Sequence, residues 1–209
     1  ELQFIANDGD NRLEVFGGGS FGSTVNPAPN VFVPGTLEDH SRVIFALNST
    51  ALDTAQIFLN TADVEHINID AMGGGDEITI NNQADTTSVG GGFLQAGTDL
   101  TQTALRSVAV DLGIDEVQIR DDVNVHGRLV EDDIQVTAHD MDGDGSDDRV
   151  DVAGLPFEVT ITNSATIING TNVNLSSDRL TIDGNAGDDE LKAAAGVENT
   201  IAITLNGDA

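Results

Sequence analysis

Short runs that alternate apolar and polar residues dominate this chain, and they commit it to a β architecture. The clearest are Leu2-Gln3-Phe4-Ile5, Arg12-Leu13-Glu14-Val15-Phe16, His66-Ile67-Asn68-Ile69, Glu77-Ile78-Thr79-Ile80 and Ser107-Val108-Ala109-Val110 in the first part. Glu116-Val117-Gln118-Ile119, Asp133-Ile134-Gln135-Val136, Glu158-Val159-Thr160-Ile161, Arg179-Leu180-Thr181-Ile182 and Thr200-Ile201-Ala202-Ile203 follow. A period of two with β-branched enrichment puts one face of each run in a core and the other in water. Gly, Asn and Asp clusters separate the runs, and these residues tolerate left-handed turns. Helical periodicity is nearly absent; only Leu100 to Arg106 has room for a turn or two.

The chain also repeats itself. Ile69-Asp70-Ala71-Met72-Gly73-Gly74-Gly75-Asp76-Glu77-Ile78 aligns with Ile182-Asp183-Gly184-Asn185-Ala186-Gly187-Asp188-Asp189-Glu190-Leu191. Ser107 to Leu112 aligns with Thr200 to Leu205, and Asp10 to Val15 more weakly with Glu131 to Val136. The matches keep their order while their spacing drifts, as insertions such as the Gly- and Thr-rich stretch Asn81 to Thr103 would cause. The reading is one copy over 1–120 and an incomplete second over 121–209. Strand, Gly-Asp turn and strand recur at roughly twenty residues, the length of one coil of a parallel β-helix, so the expected fold is an all-β solenoid. The alternative is a pair of β-sandwich domains, one per copy.

With 36 acidic against 8 basic residues the formal charge is −28. Nucleic acid is excluded as a natural partner, because phosphate binding needs a basic footprint, and anionic membranes are disfavoured for the same reason. So much like charge opposes compaction unless carboxylates are spread over the surface or neutralised by divalent cations. Cys is absent, which removes disulfides and thiolate metal sites. No apolar run is long enough to span a bilayer as a helix.

The sharpest chemical signal is Asp140-Met141-Asp142-Gly143-Asp144-Gly145-Ser146-Asp147-Asp148-Arg149-Val150-Asp151. Acidic side chains fall at Asp140, Asp142, Asp144, Asp148 and Asp151, with Gly145 where a loop must bend and Ser146 able to offer its carbonyl. Calcium takes about six to eight hard oxygen ligands, and this spacing wraps a loop around one ion. The loop resembles the Asp-rich calcium loops of EF-hands, dockerins and integrin-type propeller repeats. It departs from EF-hands in ending on Asp rather than Glu and in being flanked by strand-like sequence. The resemblance therefore implies the ion and not the helix pair.

A second signal is Gly184-Asn185-Ala186-Gly187-Asp188-Asp189-Glu190-Leu191-Lys192, which resembles the glycine-rich nonapeptide of repeats-in-toxin proteins with Asn at the second Gly. Ala71 to Thr79 keeps Gly74, Asp76 and Ile78 of the same pattern, and Leu205-Asn206-Gly207-Asp208-Ala209 looks like the opening of another. Together with Phe157 to Ile161 and Asp178 to Ile182, these residues resemble bacterial secreted proteins with hemolysin-type calcium repeats. That resemblance implies export, calcium-dependent folding, a surface or matrix role, and a second ion near Asp188 and Asp189. It implies no single activity, because such repeats accompany many.

No catalytic constellation stands out. His40, His66, His126 and His139 are scattered without zincin or triad spacing. At this density paired carboxylates arise by chance and do not mark a glycosidase. Asn48, Asn169 and Asn174 open glycosylation sequons in an Asn- and Thr-rich chain, a weak signal. The expected function is a non-enzymatic, calcium-binding, extracellular structural or adhesive module at the cell surface. It is expected either to associate head to tail or to continue in a longer chain. The alternative is a polysaccharide-active β-helix enzyme of lyase or epimerase type, which the negative charge suits poorly for anionic glycans.

Overall fold

The computed structural model describes residues 1–18, 40–46, 57–62, 64–81, 86–89, 93–96, 103–113, 119–141, 143, 148–163, 166–168, 171–173 and 178–207. The protein is all-β, and the described residues form two seven-stranded sheets and two small hairpins. The strands are β1 (Leu2–Ile5), β2 (Arg12–Gly18), β3 (His40–Ala46), β4 (Ile57–Ala62), β5 (His66–Asp70), β6 (Glu77–Ile80), β7 (Thr86–Val89), β8 (Phe93–Ala96) and β9 (Ser107–Asp111). They continue with β10 (Asp122–His126), β11 (Asp133–His139), β12 (Arg149–Ala153), β13 (Glu158–Thr162), β14 (Thr166–Ile168), β15 (Thr171–Val173), β16 (Arg179–Asp183), β17 (Glu190–Ala193) and β18 (Ala202–Asn206). Among the described residues the only helix is α1 (Val197–Thr200), between β17 and β18. The turn expected to end at Arg106 is not helical over its described part, 103–106. The run Glu116 to Gln118 lies outside the described residues.

The first sheet has the order β1-β5-β9-β13-β12-β11-β17, and the second β18-β16-β10-β6-β2-β3-β4. The chain passes between them again and again: β1 to β2, β5 to β6, β9 to β10, then β10 to β11, β16 to β17 and β17 to β18. Most pairings are parallel; the antiparallel exceptions in the two large sheets are the β11-β12-β13 meander and the β2-β3-β4 meander. Segments 1–120 and 121–209 both supply strands to both sheets.

Register explains the core. Across the first sheet, Leu2, Ile67, Val108, Val159, Val152, Val136 and Ala193 stand opposite one another in turn. Across the second, Val15, Ile80, Val125, Ile182 and Leu205 do the same. These columns are solvent-free in the middle of each sheet, where Ile67, Val108, Val159, Ile80, Val125 and Ile182 are all fully buried. They open at the ends, where Leu2, Leu191, Ile203 and Leu205 pack on the core but are only partly covered. Each fully buried Val, Leu or Ile contributes on the order of 1.5–3 kcal/mol. Because the side-chain period is two, a one-residue slip would turn a whole column to solvent, so the alternation read from the sequence also fixes the register.

Candidate metal centre

The Asp-rich loop closes the hairpin between β11 and β12. His139 stands opposite Arg149 at the hairpin mouth, and the Asp148 N–H donates to the His139 carbonyl at 2.9 Å. Asp140 begins the loop on one side and Asp148 ends it on the other. The Gly143 N–H donates to Asp140 Oδ1 at 2.6 Å, and the Met141 N–H to Asp148 Oδ2 at 3.3 Å. Gly143 has φ +78, a left-handed conformation that glycine adopts without strain. Asp140 is exposed and Asp148 half-buried. Asp142, Asp144 and Ser146 lie outside the described residues.

Asp151 behaves differently. It sits on β12, opposite Thr137, with its carboxylate held by Arg149: Nη2 donates to Oδ2 at 2.8 Å and Nε lies 2.8 Å from Oδ1. His139 Nε2 is 3.2 Å from the same Oδ2. The twelfth loop position is thus engaged in an ion pair on the sheet surface, whereas Asp140 and Asp148 frame the loop. Among the described residues no group of three or more acidic or His side chains is gathered closely enough to hold a metal ion.

Asp188 and Asp189 fall in the turn from β16 to β17. Asp188 is exposed. Asp189 Oδ1 accepts the Asp132 N–H at 2.8 Å, and its Oδ2 is enclosed with no hydrogen-bond partner among the described residues. A Cβ on Gly184 would lie 2.6 Å from that Oδ2, so only glycine lets the carboxylate fold in there. On the exposed face of β17, Lys192 Nζ contacts Glu190 at 2.7 Å and Asp133 at 3.6 Å. The Glu190 carboxylate, with Asp133 adding to it, raises the Lys192 ammonium above its ordinary pKa.

The sequence reading missed a regular set of buried carboxylates. Asn11, Asp76, Asp121 and Asp178 each stand one residue before a strand of the second sheet and are buried. They form a ladder. Asp76 Oδ1 accepts the Asn11 N–H at 2.6 Å, Asp121 Oδ1 the Asp76 N–H at 2.7 Å, and Asp178 Oδ1 the Asp121 N–H at 2.9 Å. The Asn11 amide donates as well to Asp76 Oδ1, at 2.9 Å. Asp132 and Asp189 repeat the same contact before β11 and β17 in the first sheet. Asp132 is further clamped by Arg128, whose N–H and Nε–H donate to its two oxygens at 2.6 Å each. A signal was present: Asp-X followed by an alternating pair recurs as Asp76-Glu77-Ile78-Thr79-Ile80, Asp121-Asp122-Val123-Asn124-Val125, Asp132-Asp133-Ile134-Gln135-Val136 and Asp178-Arg179-Leu180-Thr181-Ile182. The ladder's chemistry is structural, since each carboxylate accepts a buried backbone N–H where the chain turns between sheets.

Comparison with protein-family models, with curated proteins and with solved structures finds no match.

Proposed function

We propose that this protein is a calcium-binding structural module of the extracellular surface, in which stacked strand-turn-strand coils form a β-solenoid stiffened by metal. The observation that carries the reading is the β11-β12 hairpin, which brings Asp140 and Asp148 to the mouth of a loop containing Asp142, Asp144 and Ser146. Calcium bound there would draw on these four carboxylates and the Ser146 carbonyl. Asp151 would join only by releasing Arg149. A second ion near Asp188 would draw on the enclosed Asp189 Oδ2, since Oδ1 already serves the backbone.

Two further features support a structural rather than an enzymatic role. Successive strands stack in parallel register with one rung of the carboxylate ladder per turn, so the repeated unit is a stacking unit. The net charge of −28 makes the compact state dependent on counter-ions, and a divalent cation supplies them at the densest point. Secretion follows from the same logic: calcium is scarce inside cells and abundant outside, so metal binding would act as folding energy after export.

Thermal melts test the reading. Calcium at about one hundred times its Kd stabilises by about 2.7 kcal/mol, which for a chain of this size corresponds to an upward shift of roughly 5–10 °C. Asp142→Ala, which deletes one loop oxygen, should abolish most of that shift while leaving the melt in chelator unchanged. Coincident melts of the unaltered protein with calcium and with chelator would refute calcium binding.

A further inference from the structure

We infer that the two ends of the sheets are a self-complementary interface, through which a second copy of this chain stacks head to tail, with β17 of one copy pairing in parallel with β1 of the next. The inference deepens the structural reading above but does not depend on calcium.

The first observation is charge. In a chain of net charge −28, the strands that edge the two sheets carry almost none. β1 is Leu-Gln-Phe-Ile, β4 is Ile-Phe-Leu-Asn-Thr-Ala and β18 is Ala-Ile-Thr-Leu-Asn, none with an ionisable side chain. β17 is Glu-Leu-Lys-Ala, whose Glu190 and Lys192 pair with each other. Among the described residues no strand pairs with the outer side of β1, β4, β17 or β18, and an edge that charge, Pro or a bulge does not guard recruits another strand. Here the acidic residues lie elsewhere and the edges are left neutral.

The second observation is the half-open core. Leu2 and Ala6 at one end, and Leu191, Ile203 and Leu205 at the other, pack against the buried columns yet remain only partly covered. A stacked copy would close both columns at once.

The third is geometry. Strand direction agrees, because β17 runs parallel to β11, which is returned to the direction of β13, β9, β5 and β1 by two antiparallel steps. β4 likewise recovers the direction of β2, β6, β10, β16 and β18. Hydrogen-bond parity agrees as well. In β17 the Glu190 and Ala194 N–H groups point back to β11, so Leu191 and Ala193 present theirs to the free edge. In β1 the Ala6 N–H points to β5, so Gln3 and Ile5 face the free edge. Pairing these edges puts Leu191 opposite Phe4 or Leu2, core side to core side. Charge decides between the two: Leu191 opposite Leu2 sets Glu190 against Glu1, whereas Leu191 opposite Phe4 sets Glu190 against Gln3 and Lys192 against Ile5. The second register is the one assigned. Such a contact is heterologous, so it propagates into a filament or closes into a ring.

The chain has no cysteine, which makes a crosslinking test clean. Ile5 and Lys192 are both exposed and lie on strands at opposite edges of one seven-stranded sheet. Within a copy they are six strand spacings apart, roughly 29 Å, beyond a short thiol-to-thiol crosslinker. The Ile5→Cys/Lys192→Cys double variant of the 209-residue chain is treated with such a crosslinker, in calcium and in chelator, after circular dichroism has verified its fold. The expected result is a ladder of covalent multimers in at least one condition, with the single variants stopping at dimers. In parallel, sedimentation of the unaltered chain should show mass rising with concentration. Gln3→Pro, which removes a free-edge N–H at an exposed position, should reduce that rise at least tenfold, with its melt unchanged. A double variant that yields no multimers, or an unaltered chain that sediments as a monomer at every concentration in both conditions, would overturn the inference. Neither result would bear on the calcium-dependent melts.

Discussion

Asp121→Ala should destabilise the protein by about 2–4 kcal/mol, lowering its melting midpoint by roughly 5–15 °C. Asp121 is fully buried and sits at the centre of the ladder. Its Oδ1 accepts the Asp76 N–H, and its own N–H is accepted by Asp178. Alanine would remove the acceptor of the buried Asp76 N–H at the point where the chain enters β6, and losing a buried hydrogen bond of this kind costs desolvation of the donor. Asp121→Asn should cost only about 1 kcal/mol, because the amide oxygen can still accept the Asp76 N–H that Asp121 Oδ1 now holds. Urea denaturation of the three proteins measures the difference. Equal midpoints for the Ala and Asn variants would show that the carboxylate ladder is not what holds the turns in place.

Gly113→Ala should be similarly severe. Gly113 follows β9 with φ +74, and a Cβ there would fall 1.7 Å from the Met72 carbonyl oxygen and 2.6 Å from its carbon. Both obstructing atoms are backbone, so no side-chain rotation relieves the clash and the turns after β5 and β9 must separate. The expected loss is at least about 3 kcal/mol, of which only about 1 reflects the left-handed backbone itself. Gly143 provides the control. Its φ of +78 is nearly the same, but among the described residues nothing lies within 4 Å of its added Cβ. In chelator, Gly143→Ala should therefore cost about 1 kcal/mol. If the two substitutions cost the same, stacking of the turns is not the source of the Gly113 requirement.

Much of the local structure was legible in the residues. His66 to Ile69, Glu77 to Ile80, Ser107 to Val110, Asp133 to Val136, Glu158 to Ile161 and Arg179 to Ile182 all lie in strands, because period-two alternation of β-branched residues is a local property. The β17 strand was harder. Glu190-Leu191-Lys192-Ala193 is short and only half apolar, and it reads as the tail of a glycine-rich turn until β11 pairs with it. The β10 strand was hidden by its neighbours, since Asp121-Asp122 and His126-Gly127 leave only Val123 and Val125 as apolar anchors. The helix α1 has no capping side chain at Gly196, hence no starting signal in the sequence.

The candidate site divides along the same line. The acidic spacing of the 140–151 loop is a sequence fact, but the different situation of Asp151 is not, because Arg149 reaches it through the side-chain geometry of one strand. The buried ladder was written as a recurring Asp-X-alternating pattern, yet it had no meaning until strands tens of residues apart became neighbours. Asn11 and Asp76, or Asp121 and Asp178, meet only because their strands pair in parallel.

The sequence by itself determined the β class, the strand faces and the glycine turns, since alternation and φ preference act within a few residues. It also determined the acid-rich surface. Which strands become neighbours was decided by the tertiary structure. The repeated segment Ile69 to Ile78 crosses from the first sheet to the second, whereas its counterpart Ile182 to Leu191 crosses from the second to the first. The two turns are alike because their local sequences are alike. Their opposite crossings depend on which core column each strand can extend, and that is settled only when all the columns are buried together.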